Sequence, residues 1–194
     1  MNYVLFDLET TGFNRSRDAI IQIAAVRSDG QAVTTDKPFC TLVRPHLPVP
    51  EDITKLTGVT AEAAAAAPQL YEALPAFFEF AGDGVLVAHN AARFDMRFLR
   101  VCAGRLRPPP AARVVRYLDT VALSRELHPS DDSHSLDAVA AHYGIPLPAN
   151  RHDALADTLL LAEVFHLMLR EIGDPASFVQ EATLPPAVSA TEGC

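Results

Sequence analysis

The sequence is poor in cysteine and in positive charge, and it contains no long apolar run. Its three cysteines, Cys40, Cys102 and Cys194, are widely separated and form no CxxC pair. This usage argues against a disulfide framework and against a zinc knuckle, and it leads us to expect a cytoplasmic protein. No segment reaches the roughly 20 apolar residues that span a bilayer. The N-terminus also lacks the basic-then-apolar pattern of a signal peptide, so we expect no association with a membrane.

The formal net charge is −8, a sign that disfavours binding to nucleic acid. Duplex affinity comes largely from Lys and Arg side chains that neutralise phosphates. The charge is unevenly distributed, however, because seven arginines between residues 93 and 116 are opposed only by Asp95. Net charge therefore neither establishes nor excludes a substrate that carries phosphates.

The 194 residues suit one α/β domain with a substantial core. We predict a central mixed five-stranded sheet flanked by helices. We assign residues 1–173 to this domain and the Pro- and Ala-rich segment 174–194 to a flexible C-terminal tail. The predicted strands are 3–7, 19–27, 39–43, 84–88 and 117–119. One predicted helix begins at residue 60, and the others cover 70–81, 92–103, 135–143 and 153–172. We predict loops at Pro45–Pro50 and at the three prolines 108–110.

The segment FDLETTG, residues 6–12, places two acids inside an apolar run. Asp7 and Glu9 are two positions apart on a predicted strand, so their side chains point to the same face. Two converging carboxylates are costly to bury unless a divalent cation offsets their charge. Oxygen ligands of this kind suit Mg²⁺ or Mn²⁺. Taken alone, the pattern is explained better by a salt bridge or an exposed turn, so the metal hypothesis depends on further acids.

Asp95 is a further acid in an unusual position. On its predicted helix it lies within an apolar arc that includes Phe98 and Leu99, whereas the neighbouring arginines fall on the opposite side. An acid on the core-facing side is uncommon. A buried carboxylate bonded to the backbone would also explain it, but beside Asp7 and Glu9 we favour a metal ligand. The arginines are most simply a solvated face.

The segment NRHDALADT, residues 150–158, contributes a histidine and a fourth acid. Five helical positions are about 140° apart. His152 and Asp157 can therefore face one site only if His152 precedes the helix, with Asp153 as N-cap and Asp157 in the first turn. A histidine beside metal-binding carboxylates can be a ligand or a general base, and we favour the base. For His152 taken alone, an exposed histidine near a helix cap is the simpler interpretation.

These segments together resemble the DEDDh branch of the 3′→5′ exonuclease superfamily, in particular the proofreading subunit of bacterial DNA polymerase III and its stand-alone relatives. The motif DxETTG matches residues 7–12, the HN-led segment ending in FD matches 89–95, and HxAxxD matches 152–157. HNAARFD is one residue longer than the commonest bacterial form. The tyrosine branch would need Tyr at the position of Asp153.

The resemblance implies a ribonuclease H-like fold and an exonuclease domain at residues 1–173. It implies a metal-dependent 3′→5′ exonuclease that releases nucleoside 5′-monophosphates from DNA 3′ ends, in proofreading or DNA repair. Two divalent cations, Mg²⁺ or Mn²⁺, would bind to Asp7, Glu9, Asp95 and Asp157, and His152 would take the proton of the attacking water.

The resemblance also implies substrate contacts. Thr10 would contact the 3′-terminal nucleotide through its backbone, and Phe13 would be an apolar wedge beside the terminal base. Leu56 and Val59 either line the same pocket or belong to ordinary core packing. The second motif adds two further candidates, His89 and Asn90.

Two other functions stay open at this point. One is an RNA-directed 3′→5′ exoribonuclease or oligoribonuclease, although such relatives often vary the pair Thr10–Thr11, which favours DNA here. The other is a non-catalytic module that binds nucleic-acid ends or a polymerase. The expected partner is nucleic acid with a free 3′ end, with single-stranded DNA preferred. A DNA polymerase is a second candidate partner, and the oligomeric state is open.

Overall fold

The computed structural model describes residues 1–106 and 112–184. These residues form an α/β fold with helices on both faces of one sheet. The strands are β1 (Tyr3–Thr10), β2 (Ile20–Ser28), β3 (Phe39–Leu42), β4 (Val85–Ala88), β5 (Arg113–Asp119) and β6 (Gln180–Leu184). The helices are α1 (Glu51–Thr57), α2 (Ala61–Ala66), α3 (Leu70–Ala81), α4 (Asp95–Arg105), α5 (Thr120–Leu127), α6 (Leu136–His142) and α7 (Ala154–Ile172), with a 3₁₀ turn at Ala176–Phe178.

The sheet has the strand order β3-β2-β1-β4-β5-β6. Strand β2 runs antiparallel to both of its neighbours, β1 and β3, whereas β4 pairs parallel with β1 and β5 parallel with β4. The parallel strands therefore end at one edge of the sheet. Helix α5 follows β5 directly there, and six residues separate the end of β4 from the start of α4. Open α/β sheets bind ligands at this edge, and Asp7 and Glu9 lie there.

Two apolar clusters cover the two faces of the sheet. Val4, Phe6 and Leu8 of β1 pack in the cluster that includes residues of α3 and α4, whereas Tyr3 and Leu5 pack in the cluster that includes residues of α7. Side chains alternate along a strand, so Asp7 and Glu9 belong to the same face as Tyr3 and Leu5. The alternation that builds the core thus turns both acids towards the α7 side.

The sheet has one strand more than predicted. Gln180–Leu184 pairs antiparallel with β5, and Leu184 is only 1% exposed. The assignment of a flexible tail from residue 174 is therefore wrong for 180–184, while residues 185–194 lie outside the described residues. The reason is that QEATL carries little apolar pattern of its own. It is ordered by hydrogen bonding to β5 (Arg113–Asp119), which itself begins four residues earlier than predicted.

Two short helices were also missed. Helix α1 lies in the segment that its flanking prolines marked as a loop, and Pro50 is its N-cap residue. Helix α5 begins directly after β5, where the Asp119 side chain accepts a hydrogen bond from the backbone N–H of Val121. The three prolines at 108–110 lie outside the described residues. Within the described chain, no helix has both the length and the apolar character needed to cross a membrane.

The sixth strand yields a test of the fold. Leu184→Ala should lower the free energy of unfolding by about 2–5 kcal/mol, because it empties a buried leucine site. Val114→Ala is the matched control, since Val114 is 63% exposed on the partner strand, and it should cost about 0.5 kcal/mol or less. Urea unfolding of both variants measures the difference. Equal costs for the two substitutions would contradict the pairing of β6 with the core.

Candidate active site

The two acids of β1 lie beside β2 at the carboxyl end of the parallel strands. Asp7 is opposite Ala24 and Glu9 opposite Gln22, and both acids are half-buried. Burial, followed by the charge of Asp157, raises the pKa of Asp7 to about 7. Burial, followed by the charges of Asp7 and Asp157, raises the pKa of Glu9 to about 9. The ionised form of both carboxylates is therefore unfavourable unless a cation binds to them.

Asp95 is the first residue of α4 and is 1% exposed. The helix begins three residues later than predicted, because the residues after Asn90 form a turn closed by the Phe94 N–H to the Asn90 carbonyl. Burial, followed by the charge of Asp7, raises the pKa of Asp95 well above its ordinary value. Its Oδ1 atom has no hydrogen-bond partner among the described residues. A buried acceptor left unpaired is costly, and this one points to a missing positive group.

The start of α7 has the arrangement that the sequence predicted. The Asp153 side chain caps the helix, with its Oδ1 3.0 Å from the backbone nitrogen of Ala156. Asp157 follows in the first turn and is buried. His152 precedes the helix with a left-handed φ of 67°, and its side chain is exposed. The His152 backbone N–H donates to Oδ2 of Asp157 at 3.3 Å.

These residues converge on one point. Glu9, His152 and Asp157 each present a ligand atom, and these atoms lie within 4.8 Å of one another. The raised pKa values of Asp7 and Asp95 depend on neighbouring carboxylates of the same group, so all four acids share one region. The oxygen donors, their mutual repulsion and the unpaired Oδ1 of Asp95 fit a site for hard divalent cations.

Sequence reasoning missed Arg151, which lies next to His152. Its Nη1 forms an ion pair with Oδ1 of Asp157. Its Nε and Nη2 donate to Oδ1 of Asp137 in α6 at 2.9 and 2.6 Å. The proximity of Arg151 to the third motif was the available signal, but Asp137 is 14 residues away and belongs to another helix.

Two more positioning contacts were missed. Oδ2 of Asp119 accepts from the backbone N–H of Ala92 at 3.0 Å, which ties the second motif to the end of β5. The amide of Gln22 on β2 donates to Oδ2 of Asp153 at 3.1 Å and accepts from Ala154 at 3.3 Å. These bonds fix the starts of α4 and α7 relative to the sheet, and sequence spacing gave no signal for either.

Four of the predicted nucleotide contacts, Thr10, Phe13, Leu56 and Val59, differ in exposure. Phe13 is 84% exposed, and its ring lies 6.1 Å from that of Phe94, edge to face. Thr10 is buried, and its hydroxyl donates to the carbonyl of Gly12 at 2.7 Å. Leu56 is 46% exposed, whereas Val59 is 5% exposed and packs with Ile21 and Ala64. Of the two interpretations for Val59, its surroundings favour core packing.

His89 and Asn90 occupy different environments. The ring of His89 bridges two segments, with Nε2 donating to the carbonyl of His134 and Nδ1 2.9 Å from the Thr120 hydroxyl. Burial is the main effect on this ring and lowers the pKa of His89. Asn90 is exposed and has a left-handed φ of 65°. His89 therefore ties β4 to α5 and to the segment before α6, while Asn90 shapes the turn before α4.

Comparisons with known proteins agree on one family. Residues 4–165 match the family described as Exonuclease. A DNA polymerase III subunit epsilon-like protein of Rhodobacter capsulatus is 41% identical over 174 residues, which is 87% of this chain and 24% of that protein. A PolC-type DNA polymerase III of Clostridium perfringens is 38% identical over 186 residues, covering 94% of this chain and 12% of the polymerase.

Solved structures share the fold. Exonuclease X in complex with 5′ overhanging duplex DNA has a TM-score of 0.71 and 25% identity, covering 91% of this chain and 96% of that one. The nuclease domain of 3′hExo, a DEDDh family member bound to rAMP, has a TM-score of 0.73 and 18% identity, covering 88% and 92%. These neighbours confirm the ribonuclease H-like fold.

The chain thus spans 12% to 24% of the two polymerase-type relatives and nearly the whole length of Exonuclease X. The match to the family model covers all three motifs, from β1 to α7. The chain therefore belongs to the exonuclease family.

Proposed function

We propose that this domain removes nucleotides one at a time from the 3′ end of DNA, with divalent cations bound by Asp7, Glu9, Asp95 and Asp157. The observation that carries the proposal is the convergence of four acids. Three of them have raised pKa values, because they are buried and because neighbouring acids repel their charge. A fold gains no stability from such a cluster, since each buried charge is costly. The cluster is useful only when cations occupy it.

The donor set is all oxygen, which suits two ions of Mg²⁺ or Mn²⁺. When bound, such a pair supplies Lewis-acid polarisation of the phosphodiester and lowers the pKa of the attacking water. The protein fixes the ligands beforehand. Asp157 is held by the His152 N–H, and Asp153 begins the helix that carries it.

His152 is proposed as the general base. Its imidazole is exposed, and one ring nitrogen lies within 4.8 Å of carboxylate oxygens of Glu9 and Asp157. The left-handed backbone at this residue lets its N–H reach Asp157 while the ring faces solvent. A neutral imidazole at this place can accept the proton of a water that attacks the terminal phosphodiester.

Phe13 and Phe94 are proposed to form the surface beside the terminal base. Phe13 is 84% exposed, so its ring is available for stacking. Stacking tolerates any base, as an exonuclease without sequence preference requires. Single-stranded DNA is the proposed substrate, and the DNA in the Exonuclease X structure supports DNA as the substrate class. The polymerase-type relatives support a role in proofreading or repair, and a DNA polymerase is the second proposed partner.

The first test uses Asp7→Asn and Asp157→Asn. Each replaces a charged cation ligand by a neutral side chain of similar size, so degradation of a 5′-labelled single-stranded DNA oligomer should slow by at least ~100-fold. The wild-type protein should release nucleoside 5′-monophosphates. Circular dichroism should show that both variants stay folded. An RNA oligomer of equal sequence, assayed in parallel, distinguishes an exoribonuclease.

Asp36→Asn is the matched control, because Asp36 is an exposed acid outside the site. It should keep the wild-type rate. If either site variant also digests DNA at the wild-type rate, the assignment of the cation ligands is wrong. If wild-type protein binds the oligomer but releases no nucleotide with Mg²⁺ or Mn²⁺, the domain is a binding module.

The second test is His152→Ala. Loss of a general base should lower turnover by about 10²–10⁴-fold and leave cation affinity unchanged. Calorimetric titration with Mn²⁺ measures the affinity, and His46→Ala, which removes another exposed histidine, is the control. Loss of cation binding in His152→Ala would make this residue a ligand instead of a base.

The third test concerns pH. The unfolded chain protonates Asp7 and Glu9 near their ordinary pKa values of about 4, whereas the folded values are about 7 and about 9. Folding raises both pKa values. The contribution of the protonated acids to the stability of the cation-free fold is therefore fully present below about pH 4. This contribution is lost as the pH rises towards 7 and 9. Cations require the ionised acids, so the rise in Tm with saturating Mn²⁺ should be larger near about pH 8 than near about pH 5. A rise that shrinks with pH would contradict the site.

A further inference from the structure

Arg151 is the one cation that the described structure places within the acid cluster. Its side chain is 19% exposed, and its partner Asp157 has a side chain that is 9% exposed. The contact therefore lies largely out of water, where an ion pair is strong but each unpaired charge is costly. The second partner, Asp137, is 51% exposed. Arg151 thus spans from the solvent-facing side of α6 to the buried acids.

The charge of Arg151 acts on more than its direct partner. It opposes the upward shift in the pKa of Asp7 and of Glu9, although burial and the neighbouring carboxylates outweigh it. The guanidinium is thus a counter-charge for the cluster as a whole. Its Nη1 and Oδ1 of Asp157 are held out of water and have no other partner among the described residues.

The carboxylate of Asp157 is also a cation ligand in the function proposed above, on which this inference rests. A carboxylate oxygen in contact with a guanidinium is screened from a divalent ion, and two positive groups at one oxygen repel each other. Arg151 and a cation therefore compete for Asp157. The bonds of Nε and Nη2 to Asp137 are independent of that competition.

We propose that Arg151 is an exchangeable counter-ion of the cation site. When no divalent cation is bound, Arg151 neutralises and orients Asp157. When a cation binds, Arg151 is displaced from Asp157, and its guanidinium stays hydrogen-bonded to Asp137. The arginine fork suits this exchange, because its planar donors can bond two carboxylates at once and release one of them. Arg151 is a positioning residue in this account, since it acts through Asp157.

The exchange predicts opposite effects of one substitution on two measurements. In Arg151→Gln the competitor is absent, so calorimetric titration of the nucleic-acid-free protein with Mn²⁺ should show binding about tenfold tighter than wild type. In EDTA the same variant leaves Asp157 buried without its partner, so Tm should fall by about 5 °C or more. With saturating Mn²⁺ the two proteins should have equal Tm, because the cation replaces the lost charge.

Arg170→Gln is the matched control. Arg170 lies on α7, the helix that carries Asp157, is exposed and forms no salt bridge within the described chain. Its removal changes the net charge equally and should alter neither measurement. Arg151→Lys keeps the charge but not the fork, and its Mn²⁺ affinity should lie between wild type and Arg151→Gln. This variant decides the question if Arg151→Gln does not fold.

Unchanged or weaker Mn²⁺ binding in the Arg151 variants would overturn the exchange. A fall in Tm that persists equally with saturating Mn²⁺ would also overturn it, because Arg151 would then be an ordinary structural ion pair. If wild-type protein digests DNA and binds Mn²⁺ while the variants titrate as wild type does, this inference alone fails. Wild-type protein that binds no Mn²⁺ would overturn both this inference and the cation-dependent function.

Discussion

The mutual repulsion of buried carboxylates is the constraint on which the rest of this structure depends. Asp7, Glu9 and Asp95 each have a raised pKa because burial, followed by the charge of neighbouring acids, disfavours their ionised form. Folding must supply enough stability elsewhere to hold them together. The two apolar clusters on the faces of the sheet do so, with Phe6 and Phe77 on one side and Phe165 on the other fully buried.

The sheet topology brings these acids together at one site. Three parallel strands end at one edge, and hydrogen bonds from side chains other than the four acids fix the starts of α4 and α7 there. Asp119 holds the turn before α4, and Gln22 holds both Asp153 and Ala154. These bonds explain how acids separated by 150 residues along the chain, from Asp7 to Asp157, reach one region. The stability of the fold offsets the free-energy cost of their repulsion before any cation binds.

Sequence reasoning found the parts of the site that depend on local geometry. Residues two apart on a strand share a face, which placed Asp7 with Glu9, and the cap at Asp153 placed His152 before α7 and Asp157 in its first turn. Contacts between distant segments were not predictable in this way. The pairing of β6 with β5, the bridge from Arg151 to Asp137 and the packing of Val59 against Ile21 all depend on tertiary neighbours. The family resemblance supplied the roles of the acids, and the structure supplied Arg151.

The most direct measurement of the central claim is a crystal structure of the protein soaked in Mn²⁺, with anomalous scattering used to locate the metal. The account predicts two manganese ions among the carboxylates of Asp7, Glu9, Asp95 and Asp157, with the Arg151 guanidinium moved away from Asp157 and still bonded to Asp137. Four carboxylates that share no ion, or an ion bound elsewhere in the molecule while Asp157 stays paired with Arg151, would contradict it.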